Sequence, residues 1–107
     1  MTHTITAEAL KKKIDSKEGF ILIEVLLPEK YDEWHIPGAI NIPTDELETE
    51  AVKTISKDVE IIVYCMSFTC KASSKAAKIL QGLGYLDVKD YEGGKSDWLE
   101  KGFPTEK

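Results

Sequence analysis

The stretch that decides the fold runs from Val59-Glu-Ile-Ile-Val-Tyr64, through Cys65-Met-Ser-Phe-Thr-Cys-Lys-Ala72, into residues 73–83. Ile61, Ile62 and Val63 are apolar in succession, so this run has no solvent face and reads as a strand buried on both sides, as in a parallel sheet. Residues 73–83 place Ala76, Ile79, Leu80 and Leu83 on one face and Ser74, Lys75, Lys78 and Gln81 on the other, the pattern of an amphipathic helix, with Gly84 as its stop. In open α/β sheets, sites lie at the carboxyl ends of strands, beside the following helix N-termini. The loop Cys65 to Ala72 is where that rule places the chemistry.

The same alternation extends both ways. Toward the amino terminus, Thr6 reads as the cap of a helix carrying Leu10 and Ile14, with Lys11, Lys12 and Lys13 toward its carboxyl end, where they suit the helix dipole. Gly19 breaks it, and Phe20 to Val25 is a strand apolar on both faces except at Glu24. Pro28 opens a helical turn with Tyr31 and Trp34, Pro37-Gly38 turns the chain, and Ala39 to Ile42 is extended. Thr44 is expected to cap a helix whose buried stripe is Leu47, Ala51, Val52 and Ile55. Toward the carboxyl terminus, Leu86 and Val88 mark a third strand, and Gly93-Gly94 leads into a last helix with Trp98 and Leu99. Strands alternating with helices predict an α/β domain with a parallel sheet and helices on both faces.

The length, 107 residues, predicts one domain over 1–107. No apolar run approaches the roughly 20 residues of a membrane span, and the start from Met1 to Thr6 lacks the charged and apolar regions of a leader, so a cytoplasmic protein is expected. The net charge is −5, which argues against nucleic-acid or anionic-membrane partners. All 14 basic residues are lysines, so no planar guanidinium fork is available to grip a phosphate or carboxylate. Two cysteines and the distant His3 and His35 make no zinc pattern, and no metal or other cofactor is expected.

If residues 66–72 curl with their amides inward, loop and helix N-terminus together form an anion site, and a thiolate is an anion. Cys65 is then expected to have a lowered pKa and to act as a nucleophile. The alternative is a small buried hydrophobe at a strand end. Met66, Ser67, Phe68, Thr69, Cys70, Lys71 and Ala72 are the candidate substrate-binding residues, and Lys71, the only basic one, is the candidate for attracting an anion. Cys70 is a candidate redox partner, able to attack an oxidised Cys65 and close a loop disulfide.

Four segments of the chain resemble the rhodanese superfamily. They are Ile21-Leu-Ile-Glu-Val25, His35-Ile-Pro-Gly-Ala-Ile-Asn-Ile-Pro43, Val63-Tyr-Cys65, and the pattern from Leu83-Gly-Tyr85 through Tyr91-Glu-Gly-Gly-Lys-Ser-Asp-Trp98 to Gly102-Phe-Pro104. The resemblance covers nearly the whole chain. It implies a five-stranded parallel sheet flanked by helices, and a sulfurtransferase in which Cys65 takes a sulfane sulfur from thiosulfate or another persulfide donor, carries it as a persulfide, and passes it to a thiol acceptor, proteins included.

Two departures bear on substrate. Glu24-Val-Leu26 stands where the family carries Asp-x-Arg, and the loop is two residues longer than the usual Cys-x-x-Gly-x-Arg, with Ala72 in the arginine's place. They predict weak turnover of thiosulfate. Phosphatases and arsenate reductases of the same fold need an arginine six positions after the cysteine, and position 71 is lysine. A catalytically weak interaction or regulatory module and a Cys65–Cys70 thiol switch stand as alternatives to the enzyme. Outside the loop, Glu24 reads as a structural carboxylate satisfied by loop amides or a lysine, His35 as part of a structural turn, Trp34 and Trp98 as packing residues, and Lys95 as a solvated lysine.

Overall fold

A computed structural model describes residues 3–107; Met1 and Thr2, the first two residues of the stretch read above for a leader, lie outside the described residues. The strands are β1 (His3–Thr4), β2 (Phe20–Glu24), β3 (Ile40–Asn41), β4 (Glu60–Tyr64) and β5 (Asp87–Tyr91). The helices are α1 (Ala7–Asp15), α2 (Pro28–Glu33), α3 (Leu47–Thr54), α4 (Ala72–Gly82) and α5 (Gly94–Glu100). All five strands are parallel and lie in the order β1-β5-β4-β2-β3, which is the expected α/β architecture.

Apolar side chains alternate between two cores, one on each face of the sheet. Ile61 and Val63 of β4 and Ile23 of β2 pack with Leu47 and Ala51 of α3 and with Ala76, Ala77 and Leu80 of α4. Ile62 and Tyr64 pack on the other face with Leu10 of α1 and Trp98 of α5. Cys65 extends the β4 alternation into the α3/α4 layer.

Thr6 caps α1, its hydroxyl accepting the Ala9 amide at 3.2 Å. Thr44 departs from the reading above. It opens a 3-10 turn, Thr44–Glu46, and donates its hydroxyl to the Val25 carbonyl at 3.3 Å, tying the turn to the end of β2 instead of capping α3. Val52 (46% exposed) and Leu86 (86% exposed) also fall outside the core. Pro43 and the 3-10 turn set the phase of α3 so that Leu47 and Ala51 face inward, and Leu86 precedes β5 in the connection from α4. β1 went unread because two residues carry no periodicity.

Candidate active site

Cys65 follows the last residue of β4 and is fully buried. Backbone bonds clamp its loop to α5: the Lys95 amide donates to the Cys65 carbonyl at 3.0 Å and the Ser96 amide to the Met66 carbonyl at 2.8 Å. Within the loop, the Cys70 amide donates to the Ser67 carbonyl at 3.0 Å, and the Ser67 and Thr69 hydroxyls lie 3.1 Å apart. Met66 and Ser67 are half-buried, Phe68 and Thr69 are exposed, and Phe68 shows 65% of its surface, so its ring does not close over the cysteine. Cys70 and Ala72 are half-buried, and Lys71 stands exposed just before α4.

The two thiols share the site. The Cys65 sulfur lies 3.5 Å from the Cys70 carbonyl oxygen and 3.5 Å from the Ser73 hydroxyl. Burial pushes the Cys65 thiol up from its ordinary pKa, and its contact with Cys70 adds to that, against help from the Ser73 hydroxyl and amide. For Cys70, partial burial is outweighed by the Cys65 thiol and by the amides of Met66 and Ala72 directed at its sulfur, so its pKa falls. This corrects the expectation of a lowered Cys65. The amides of Met66 and Ala72 meet the Cys70 sulfur, so in the resting protein the loop favours charge on Cys70.

Two residues absent from the sequence reading complete the site. Ser73, the second residue of α4, is buried at the Cys65 sulfur. Its hydroxyl hydrogen-bonds to the carboxylate of Asp90, a buried residue of β5 paired in register with Val63. Alternation from Val88, an α3/α4 core residue, could have placed Asp90 on the Cys65 face.

The opposite face holds a second polar cluster beneath the same strand ends. The Lys95 ammonium contacts both Glu24 carboxylate oxygens, at 3.1 and 3.2 Å, donates to the Lys30 carbonyl at 2.6 Å, and lies 4.9 Å from the centre of the Trp34 ring. Tyr64 donates its hydroxyl to Glu24 at 2.9 Å. Lys95 is therefore buried, not solvated: the β2 end supplies a buried carboxylate that binds it. Its side chain faces away from the cysteines. His35 stacks on Tyr31 with ring centroids 3.8 Å apart, and Trp98 is buried with its indole donating to the Pro104 carbonyl at 2.7 Å. Both pack, as the sequence suggested. Among the described residues, no group of three or more His, Cys, Asp or Glu could hold a metal ion, and no helix is long and apolar enough to cross a membrane.

Residues 6–101 match the rhodanese-like domain family. The chain is 34% identical over 97 residues to the candidate sulfur carrier protein YrkF of Bacillus subtilis, an alignment spanning 91% of this chain and 51% of the relative, so the chain spans about half of that protein. It is 27% identical over 104 residues to a sulfurtransferase of Allochromatium vinosum, spanning 97% of this chain and 94% of the relative. Among solved structures, protein BH2092 of Bacillus halodurans superposes with a TM-score of 0.92 at 33% identity, covering 98% of this chain and 77% of that one.

Proposed function

Since the chain belongs to the rhodanese-like family, we propose that it is a sulfurtransferase that carries sulfane sulfur as a Cys65 persulfide. The observation that carries this reading is the position of Cys65, just after β4, with the Ser73 amide and hydroxyl at its sulfur and the neighbouring Cys70 sulfur met by the amides of Met66 and Ala72. A thiolate formed there attacks the sulfane sulfur of the donor. A new S–S bond forms at Cys65, the donor's S–S bond breaks, and the leaving group departs with the bonding pair. The loop amides stabilise the outer sulfur, and an acceptor thiolate then removes it. The chain has no arginine to fork onto an oxyanion, so the favoured donor is a persulfide or polysulfide, with thiosulfate a poor one and Lys71 offering only a point charge. The acceptor class is a thiol, small or on a protein, and a reducing cytoplasmic setting suits two free cysteines.

The test is intact mass of the reduced protein after polysulfide. Wild type is expected to gain the mass of one sulfur atom and Cys65→Ser none. A folded wild-type protein that shows neither the added sulfur nor, without reductant, a Cys65–Cys70 disulfide overturns the reading and favours an interaction or regulatory module.

The contact between the two thiols supports a second reaction of the same intermediate. The Cys70 thiolate attacks the inner sulfur of the Cys65 persulfide, the Cys65–Cys70 disulfide forms, and hydrosulfide leaves with the electron pair. The persulfide is expected to decay to a disulfide in wild type and to persist in Cys70→Ser, read by mass without reductant. Equal persulfide lifetimes in the two proteins would exclude it.

A further inference from the structure

We propose that Asp90 accepts the Cys65 proton through the Ser73 hydroxyl, so that β4, α4 and β5 each supply one member of a proton path. The proposal rests on Cys65 being the nucleophile and adds how that thiol is discharged inside a buried site. Asp90 never touches the reacting sulfur; it is a positioning residue that acts through Ser73.

Ser73 is the neighbour that Cys65 and Asp90 share. The Cys65 sulfur is 3.5 Å from the Ser73 hydroxyl oxygen, and the Ser73 hydroxyl bonds to the Asp90 carboxylate. Cys65 is 0%, Ser73 1% and Asp90 2% exposed, so bulk water cannot stand in for any link. One Asp90 oxygen, Oδ1, is buried without a hydrogen-bond partner, alone in this among the side-chain nitrogen and oxygen atoms of the described residues. A buried carboxylate held by one hydroxyl is costly, and a neutral side chain would fill the space at less cost.

The charged and titratable surroundings point the same way. Burial raises the Asp90 pKa, the Ser73 hydroxyl opposes that, and the Glu92 charge further along the chain reinforces it. Cys70, from the loop, feels the Asp90 charge. On the far side of the sheet, Lys89 pairs with Glu60 and Asp87, and β1 places Thr4 beside Asp90. No cation is among the groups acting on Asp90, so its carboxylate holds a proton more tightly than a solvated one, as a base must.

The transfer balances. The Cys65 proton moves to the Ser73 oxygen as the Ser73 proton moves to Asp90. Thiol and carboxylate become thiolate and carboxylic acid, with the net charge unchanged. The Ser73 hydroxyl then points back at the thiolate, which attacks the donor. When the acceptor removes the sulfane sulfur, Cys65 leaves as a thiolate and recovers its proton by the reverse path.

The two tautomers carry the same charge, so their ratio is independent of pH between the two macroscopic ionisations. Wild-type Cys65 is therefore expected to react with iodoacetamide along a pH-independent shelf below its own ionisation, with the rate at Cys65 separated from that at Cys70 by peptide mapping. Asp90→Asn still accepts from Ser73 and sheds a buried charge, so it should fold, as a thermal melt will show. It is expected to lose the shelf, with the rate on the acid side of neutrality falling about tenfold or more. Ser73→Ala keeps the charge but cuts the path, and is expected to lose the shelf too. If Asp90 only repelled the thiolate, Asp90→Asn would react faster at every pH, and that result overturns the proposal, as does a shelf that survives Ser73→Ala. Because alkylation is read rather than sulfur transfer, failure of the proton path is distinguishable from failure of the persulfide reading.

Discussion

Lys95→Met is expected to destabilise the domain by about 3–5 kcal/mol, the cost of leaving one buried partner of an ion pair uncompensated. Glu24 is fully buried and Lys95 is 2% exposed, so water cannot replace the lost ammonium. Burial already pushes the Glu24 carboxyl up from its ordinary range, held back by the Tyr64 hydroxyl and the Lys95 ammonium. Without Lys95, Glu24 keeps only Tyr64, and the Lys30 carbonyl and the Trp34 face lose their cation. Folded domains are stable by about 5–15 kcal/mol, so this one change removes about a fifth of the total or more. Urea denaturation followed by circular dichroism measures it. The double variant Glu24→Gln/Lys95→Met should recover much of the loss, because removing both charges removes the desolvation penalty as well. A loss below about 1 kcal/mol would mean that the pair is solvated and behaves as a surface ion pair.

Such a cluster lies beyond what residue order alone can reveal. Glu24 was legible as a structural carboxylate because a charge inside Phe20–Glu24 must be satisfied where it stands. Its partner lies 71 positions away on α5, and a lone lysine in a short polar helix reads as solvated. The apolar runs of β2 and β4 and the stripe of α4 were legible because burial on both faces, or on one, leaves a period in the sequence. Val52 misled because the 3-10 turn before α3 resets the helical phase, and Leu86 because it lies one residue outside β5.

The loop shows the same division. Its place after β4 was readable from order alone, and so was Cys65 as its first residue. Which sulfur the loop favours as an anion depends on side-chain direction. Cys65 inherits the β4 alternation and drops into the core, whereas the Cys70 sulfur meets the amides of Met66 and Ala72. Ser73 and Asp90 are ordinary residues in the sequence and become notable only because the crossover from β4 through α4 to β5 brings Ser73 to the Cys65 thiol and Asp90 to Ser73.

Gly94→Ala should be the other severe substitution, and its effect should reach Cys65 directly. Gly94 has φ +60°, a conformation that costs any residue with a Cβ about 1–2 kcal/mol. The added methyl would also press on the Cys65 carbonyl and the carbonyl carbon of Met66, and these are backbone atoms that no rotamer change can move. The same two residues accept the Lys95 and Ser96 amides, so relieving the clash means lifting the loop off α5 and giving up those bonds. Strain, clash and lost bonds together predict a loss of roughly 3 kcal/mol or more. The loop and its thiols should suffer before the sheet does. In conditions where the variant is still folded, its Cys65 should alkylate faster than wild type, because the sulfur is uncovered, and should hold less persulfide, because the loop amides are displaced. Melting temperature, Cys65 alkylation and persulfide mass on one preparation separate these effects. A variant that melts like wild type and loads sulfur normally would show that the contact between α5 and the loop does not hold the site together.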